Sequence, residues 1–203
     1  MNCSKRQFIK RCATILSGIA MSRMFGRASV SARSEGTLAN WAGNYRYGTD
    51  HLYRARSLEQ VQEFVKQHGQ LKVLGTRHCF NGIADSTHNL LSLREMDQVV
   101  ALDQKSRTVT VEAGMSYGQL CPYLDEKGFA LHNLASLPHI SIAGACATAT
   151  HGSGPKNGNL ATAVSAMEIV TAGGDVLKLS AIRTAARSRG ASSISVLLAW
   201  SPR

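Results

Sequence analysis

Apolar positions along the chain fall into short runs cut by glycine and polar turns, and their spacing changes from segment to segment. Ser57-Leu-Glu-Gln60 has the form of a capping box, with a hydroxyl at the N-cap and an amide three residues later. Leu58, Val61, Phe64 and Val65 then recur at helical spacing as far as Gly69, a natural residue to follow a helix end. Residues 71–74 read as a short buried strand that runs straight into the loop 75–81. Residues 90–93, 99–102 and 108–112 predict further strands. The last alternates Val109 and Val111 with Thr110 and Glu112, as a half-exposed strand does. Residues 116–127 predict a helix closed by Gly128, with Pro122 either kinking it or delaying its start. Residues 164–171 and 176–179, joined across Gly173-Gly174, predict a β-hairpin. The order is α+β with short strands. It lacks the regular alternation of a Rossmann domain, and no G-x-G-x-x-G follows the first strand.

Charge changes little in this picture. The 203 residues carry a formal charge of +10, but the excess sits at the ends. Residues 1–34 hold seven Lys/Arg and no acid, and residues 181–203 hold four Arg and no acid. The 12 basic residues between them face 13 acidic ones. A near-neutral middle without a basic stripe argues against a nucleic-acid partner. The five cysteines lack C-x-x-C spacing, so neither a zinc site nor a disulfide framework is indicated; Cys79 and Cys146 read as small space-filling residues.

At the amino terminus, Ser4-Lys-Arg-Gln-Phe-Ile-Lys10 precedes a modestly apolar stretch over 12–21. This is well short of the ~20 residues that span a bilayer, so no stable membrane anchor is expected. With Val30-Ser-Ala32 as a small-x-small site, residues 1–32 read as a secretory signal. They resemble a twin-arginine signal, with Lys5-Arg6 in place of the arginine pair, and imply export of an already folded protein to the periplasm. The alternative is a disordered basic arm on a cytoplasmic protein.

Two glycine-bracketed histidine segments carry the candidate chemistry. In the first, Val73 and Leu74 end a strand, and Gly75, Thr76, Arg77, His78 and Cys79 expose successive N–H groups in a tight turn, a nest for phosphate oxygens. Asn81 is placed to fix the loop through side chain-to-backbone bonds, and Phe80 to anchor it in the core. In the second, residues 135–154, small residues succeed one another and allow close backbone approach to a flat or extended ligand. Together they read as a site for a large dinucleotide cofactor, with Ser136, Ser141, Gly144, Thr148, Ala149, Thr150 and His151 as its second wall. His139 and His151 have no third partner at ligand spacing, so no metal is assigned and both are given loop-fixing roles. Trp41 reads as packing.

These segments resemble the vanillyl-alcohol-oxidase, or p-cresol-methylhydroxylase-type, flavoproteins. The resemblance is strongest to the alditol (xylitol) oxidases, with sugar-1,4-lactone oxidases a step further away. It is carried by Trp41-Ala-Gly-Asn44, by Gly75-Thr-Arg-His-Cys-Phe-Asn-Gly-Ile-Ala-Asp85, by Ser136-Leu-Pro-His-Ile-Ser-Ile-Ala-Gly144 and by Thr148-Ala-Thr-His-Gly-Ser-Gly154, and covers 38–180. It implies an α+β FAD-binding domain whose FAD is bonded covalently to His78. The hydroxyls of Ser136, Ser141, Thr148 and Thr150 would then serve the flavin ring edge, ribityl chain and phosphates. Ser136 would sit where flavin and substrate meet. Ala135 would be the small residue that lets oxygen reach the reduced flavin. The implied reaction passes hydride from a polyol to flavin, with O2 as acceptor and hydrogen peroxide as product.

The resemblance stops at Ser180. Residues 181–203 are rich in arginine and serine and are expected to be disordered, as after a shifted reading frame. On that reading the substrate domain is missing and the chain is inactive as it stands. A lactone oxidase and a non-catalytic FAD-binding fragment are the alternatives.

Overall fold

The computed structural model describes residues 38–180 with their side chains, and the backbone of 192–199 and 201–202. The signal expected over 1–32 and residues 181–191 lie outside the described residues. Three strands, β1 (Leu52–Arg54), β2 (Leu71–Leu74) and β3 (Asn89–Ser92), form a parallel sheet in the order β1-β3-β2. Helix α1 (Leu58–Gln67) crosses from β1 to β2. Its start is capped as the sequence predicts: Ser57 Oγ accepts the Gln60 N–H at 3.4 Å. The return bond reaches one residue further back, with Gln60 Oε1 accepting the Arg56 N–H at 2.8 Å. At the far end the His68 N–H donates to the Phe64 carbonyl. The apolar stripe Val61, Phe64 and Val65 packs with Leu91, Leu93 and Val170.

The second sheet contains β4 (Val99–Asp103), β5 (Thr108–Glu112), β7 (Val164–Val170), β8 (Val176–Ser180) and β9 (Ser192–Ala199), in the order β4-β5-β9-β7-β8. All its pairings are antiparallel. The hairpin expected over 164–179 is present and turns at Gly174, whose φ of +82° suits glycine. Within the segment 181–203 expected to be disordered, residues 192–199 form strand β9. It lies between β5 and β7, pairing Leu198 with Val109 and with Val164. The arginine- and serine-rich composition of the segment obscured an apolar run, Ile194-Ser-Val-Leu-Leu198, well suited to a strand. With it, β5 and β7 both become internal strands rather than open edges.

Helix α2 (Tyr117–Asp125) begins directly after Ser116 and runs through Pro122 without a late start. Gln119 Oε1 fixes its first turn, accepting from the Ser116 N–H at 2.9 Å and the Ser116 hydroxyl at 2.7 Å. Tyr117, Leu120 and Leu124 pack on Val109, Val111, Ile142 and Leu160, which form the main core. The short β6 (Phe129–Ala130) pairs with β10 (Ser201–Pro202). Helix α3 (Ile142–Ala147) and two short 3-10 helices, Gly82–Ala84 and Leu160–Ala163, follow among the described residues. Among the described residues no helix is long and apolar enough to cross a membrane.

Candidate functional site

Strand β2 ends at Leu74, and the chain turns at once into the loop 75–81. Helix α3 starts opposite, anchored through the Ile142 N–H on the Met115 carbonyl at 2.9 Å and the Tyr117 N–H on the Ile140 carbonyl at 3.2 Å. Between the two segments lies a cavity of about 270 Å³. Val73, Leu74, Gly75, Thr76, Arg77, His78 and Cys79 line one side, and Ser141, Gly144, Thr148 and Thr150 line the other. Sequence reasoning missed Ile83, Ala84, Ile140, Ala145 and Ala147. These are apolar residues with no chemical signature. Their only signal was adjacency to the two loops.

Four expected site residues stand away from this wall. Ala135 is half-buried and packs on the main core, and Ser136 is exposed. Ala149 takes a left-handed φ of +52° beyond the end of α3. His151 is exposed, bridges Asn159, and holds its Nδ1 2.9 Å from the Gly152 carbonyl.

The two walls meet at Ser141. Its Oγ would lie 2.9 Å from a Cβ on Gly75 and 2.7 Å from one on Gly144. A Cβ on Gly75 would press on this hydroxyl from the facing wall, and one on Gly144 would press on it from within its own wall. The Ser141 N–H donates to Thr76 Oγ1 at 3.3 Å, a second tie between them. Arg77 turns the loop with a φ of +63°, a conformation that costs about 1–3 kcal/mol in a non-glycine residue and persists only where surroundings enforce it.

The enforcement comes from the segment 39–45. The Trp41 N–H donates to the Arg77 carbonyl at 2.8 Å, and Arg77 Nη1 donates to the Ala39 carbonyl at 3.1 Å. Buried Asn40 gives its Nδ2 to the Cys79 carbonyl at 3.1 Å. It is itself held by Asn44 Oδ1 at 2.8 Å and by the Tyr45 N–H at 3.1 Å. Asn81 acts as expected, accepting the Ile83 N–H at 3.1 Å. Phe80 does not anchor the loop: it is 60 % exposed, edge-on to His78, because the strap at 39–45 already fixes the loop from outside the core.

Trp41 is exposed too, and stacks on His78 and His139 at 4.5 and 5.3 Å between ring centroids. The Nε2 atoms of the two histidines are in direct contact. Burial, and then the nearness of His139, hold His78 below its ordinary pKa, so its imidazole is neutral at neutral pH. Burial raises the Cys79 thiol, and takes Cys146 up to about 11, so both stay protonated and unreactive. Among the described residues, no group of three or more His, Cys, Asp or Glu is placed to hold a metal.

Among the described residues, the N–H groups of Thr76, Arg77, His78 and Cys79 donate no hydrogen bond. Four unspent donors in a left-handed turn suit the oxygens of a phosphate-bearing ligand. The bare α-carbons of Gly75 and Gly144 allow its close approach, and apolar walls suit a flat ring system. The residues present therefore fit a dinucleotide cofactor.

Residues 49–180 match the family described as FAD binding domain. Alditol oxidase of a Streptomyces strain is 39% identical over 146 residues, which cover 70% of this chain and 35% of that protein. L-gulonolactone oxidase of Bos taurus is 34% identical over 145 residues, covering 70% and 33%. The chain thus spans about a third of the length of the curated relatives it matches. Among solved structures, a cholesterol oxidase mutant from Brevibacterium sterolicum has a TM-score of 0.69 at 15% identity, over 82% of this chain and 37% of that one. An alkyldihydroxyacetonephosphate synthase has a TM-score of 0.62 at 17% identity, over 74% and 31%.

Proposed function

Because the chain belongs to the FAD-binding-domain family of the p-cresol-methylhydroxylase and vanillyl-alcohol-oxidase type, we propose that it is the cofactor-holding part of an oxidase acting on the CH–OH group of an alditol. The overall reaction is polyol + O2 → aldose + H2O2. The observation that carries this reading is the strapped loop 75–79, with its unspent N–H groups and a neutral histidine at its end. A sugar-1,4-lactone is the second substrate class, supported by the L-gulonolactone oxidase relative.

The N–H groups of Thr76 to Cys79 hold the phosphates. Gly75, Gly144 and Ser141 shape the floor beneath them. The hydroxyls of Thr148 and Thr150, 3.1 Å apart, face the cofactor's polar chain. His78 offers a ring nitrogen for a covalent bond to the flavin's 8α-carbon, a step that needs the neutral imidazole. When bound, FAD supplies the two-electron acceptor for alcohol oxidation. In the whole protein Ser136 stands at the meeting of cofactor and substrate, and Ala135 leaves room for dioxygen. Residues 1–32 direct export.

The test is to incubate the chain with FAD, denature it in acid, and weigh the peptide containing His78. An FAD-sized mass on that peptide, absent from His78→Ala, supports the reading. Complete release of flavin from the unaltered chain overturns the covalent assignment, and failure to bind FAD at all overturns the function.

A further inference from the structure

His78 and His139 lie 61 residues apart in sequence and touch through their Nε2 atoms. Their centroids are 4.5 Å apart, and the indole of Trp41 covers both rings. Trp41 is itself tied through its N–H to the Arg77 carbonyl, so the three rings form a fixed stack at the mouth of the cofactor loop. Two imidazoles meeting in this way share one proton: one Nε2 carries hydrogen and the other presents its lone pair. Among the described residues no third metal-binding side chain joins them.

We propose that His139 is a positioning residue for His78. It accepts the His78 Nε2–H, which favours the tautomer with a lone pair on Nδ1 over the one whose ring N–H bonds the His78 backbone carbonyl, and it takes up the Nε2 proton when Nδ1 bonds to the flavin. The proposal rests on the reading that His78 carries the cofactor covalently.

A bond forms between His78 Nδ1 and the 8α-carbon of FAD, and one C–H bond at that carbon breaks. Its proton leaves to solvent. Its electron pair stays in the ring system, so the carbon is oxidised and the flavin is reduced by two electrons. Bonding at Nδ1 makes the His78 ring cationic, and transfer of the Nε2 proton to His139 restores neutrality. Dioxygen then accepts the electron pair and two protons and leaves as hydrogen peroxide. Without His139 the half-buried His78 loses its Nε2 partner, and its proton is free to move to Nδ1, blocking the nucleophile.

The experiment uses the 203-residue chain with FAD and dioxygen. Non-covalent FAD binding is followed by flavin fluorescence, and covalent attachment by acid-stable mass on the His78 peptide. His139→Ala should bind FAD as the unaltered chain does but attach it about 100-fold more slowly, the lower end of what a positioned proton acceptor contributes. The remaining rate should rise with pH as solvent bases take over. His139→Gln keeps an acceptor for the Nε2–H but binds no proton, so it should fall between the two. In the FAD-free chain, nitrogen-15 spectra should show His78 as its Nε2–H tautomer, and as a mixture in His139→Ala. Attachment at the unaltered rate in both variants, or a His78 tautomer that ignores His139, overturns the proposal alone. Acid release of all flavin from the unaltered chain instead overturns the reading beneath it, and the proposal with it.

Discussion

Ser141 Oγ occupies the space that a Cβ on Gly75 would need, at 2.9 Å, so the hydroxyl and the missing side chain are complementary halves of one contact. Gly75→Ala should therefore weaken FAD binding and cost about 1–3 kcal/mol of stability, as overpacking does. Ser141→Ala removes the obstructing oxygen and should restore much of both in the double variant. Thermal melts and FAD titrations of the two single variants and the double complete the cycle. Additive losses would mean that the two residues do not share this space.

Asn40 is the centre of the strap that holds the loop. It is buried, and it serves the Cys79 carbonyl, Asn44 and the Tyr45 N–H together. Asn40→Ala leaves these groups without partners, which should cost about 1–3 kcal/mol. FAD affinity should drop with it, because Arg77 loses the surroundings that enforce its left-handed turn. Asn40→Asp keeps the acceptor to Tyr45 but loses the donor to Cys79, and should lie between. A full-affinity Asn40→Ala variant would show that the loop holds its own shape.

Much of this was legible in the chain because strong local patterns happened to agree with the tertiary outcome. Helix α1 announced itself through Ser57, Gln60 and a clean apolar stripe, and β2 through a short apolar run ending at a glycine. The 75–79 loop was readable because every residue in it lines the cavity, so no choice among neighbours was needed. Helix α3 was invisible: Ile142 and five small residues, under two turns, define no face. β1 is only three residues long and is specified by pairing with β3 rather than by its own sequence. The meeting of His78 with His139 is a product of topology, and nothing local to either residue signals it. Phe80 misled because an apolar residue beside a loop ordinarily points inward, whereas the polar strap from Asn40 had already taken that task.

The depressed pKa of His78 gives a pH dependence with a definite sign. Unfolded, the ring titrates near its ordinary value of 6.5; folded, it resists protonation further into acid. Below that value the unfolded chain therefore binds more protons, and stability falls as pH drops through 6.5 toward the lowered folded value. Above 6.5 the group contributes no slope. His78→Gln should flatten this part of the stability profile, measured as denaturation midpoints from roughly pH 7 to roughly pH 5. An unchanged slope in the variant would place the acid-sensitive group elsewhere.

Strand β9 invites a test that separates a sheet member from a loose tail. Leu197 pairs with Thr110 on one side and Ala166 on the other, in the middle of the five-stranded sheet. Proline there would remove a ladder donor, and proline is confined to edge strands, first positions and bulges for that reason. Leu197→Pro should thus lower stability by about 1–3 kcal/mol through an unsatisfied carbonyl, and more if the ring distorts both neighbours. Val100→Pro is the matched control. Val100 is exposed, sits in the outermost strand β4, and falls where the β4–β5 register already shifts. It should change the melting temperature little. If both prolines were equally harmless, β9 would not be holding β5 to β7. If Leu197→Pro alone is costly, residues 192–199 belong to the folded domain despite the composition around them.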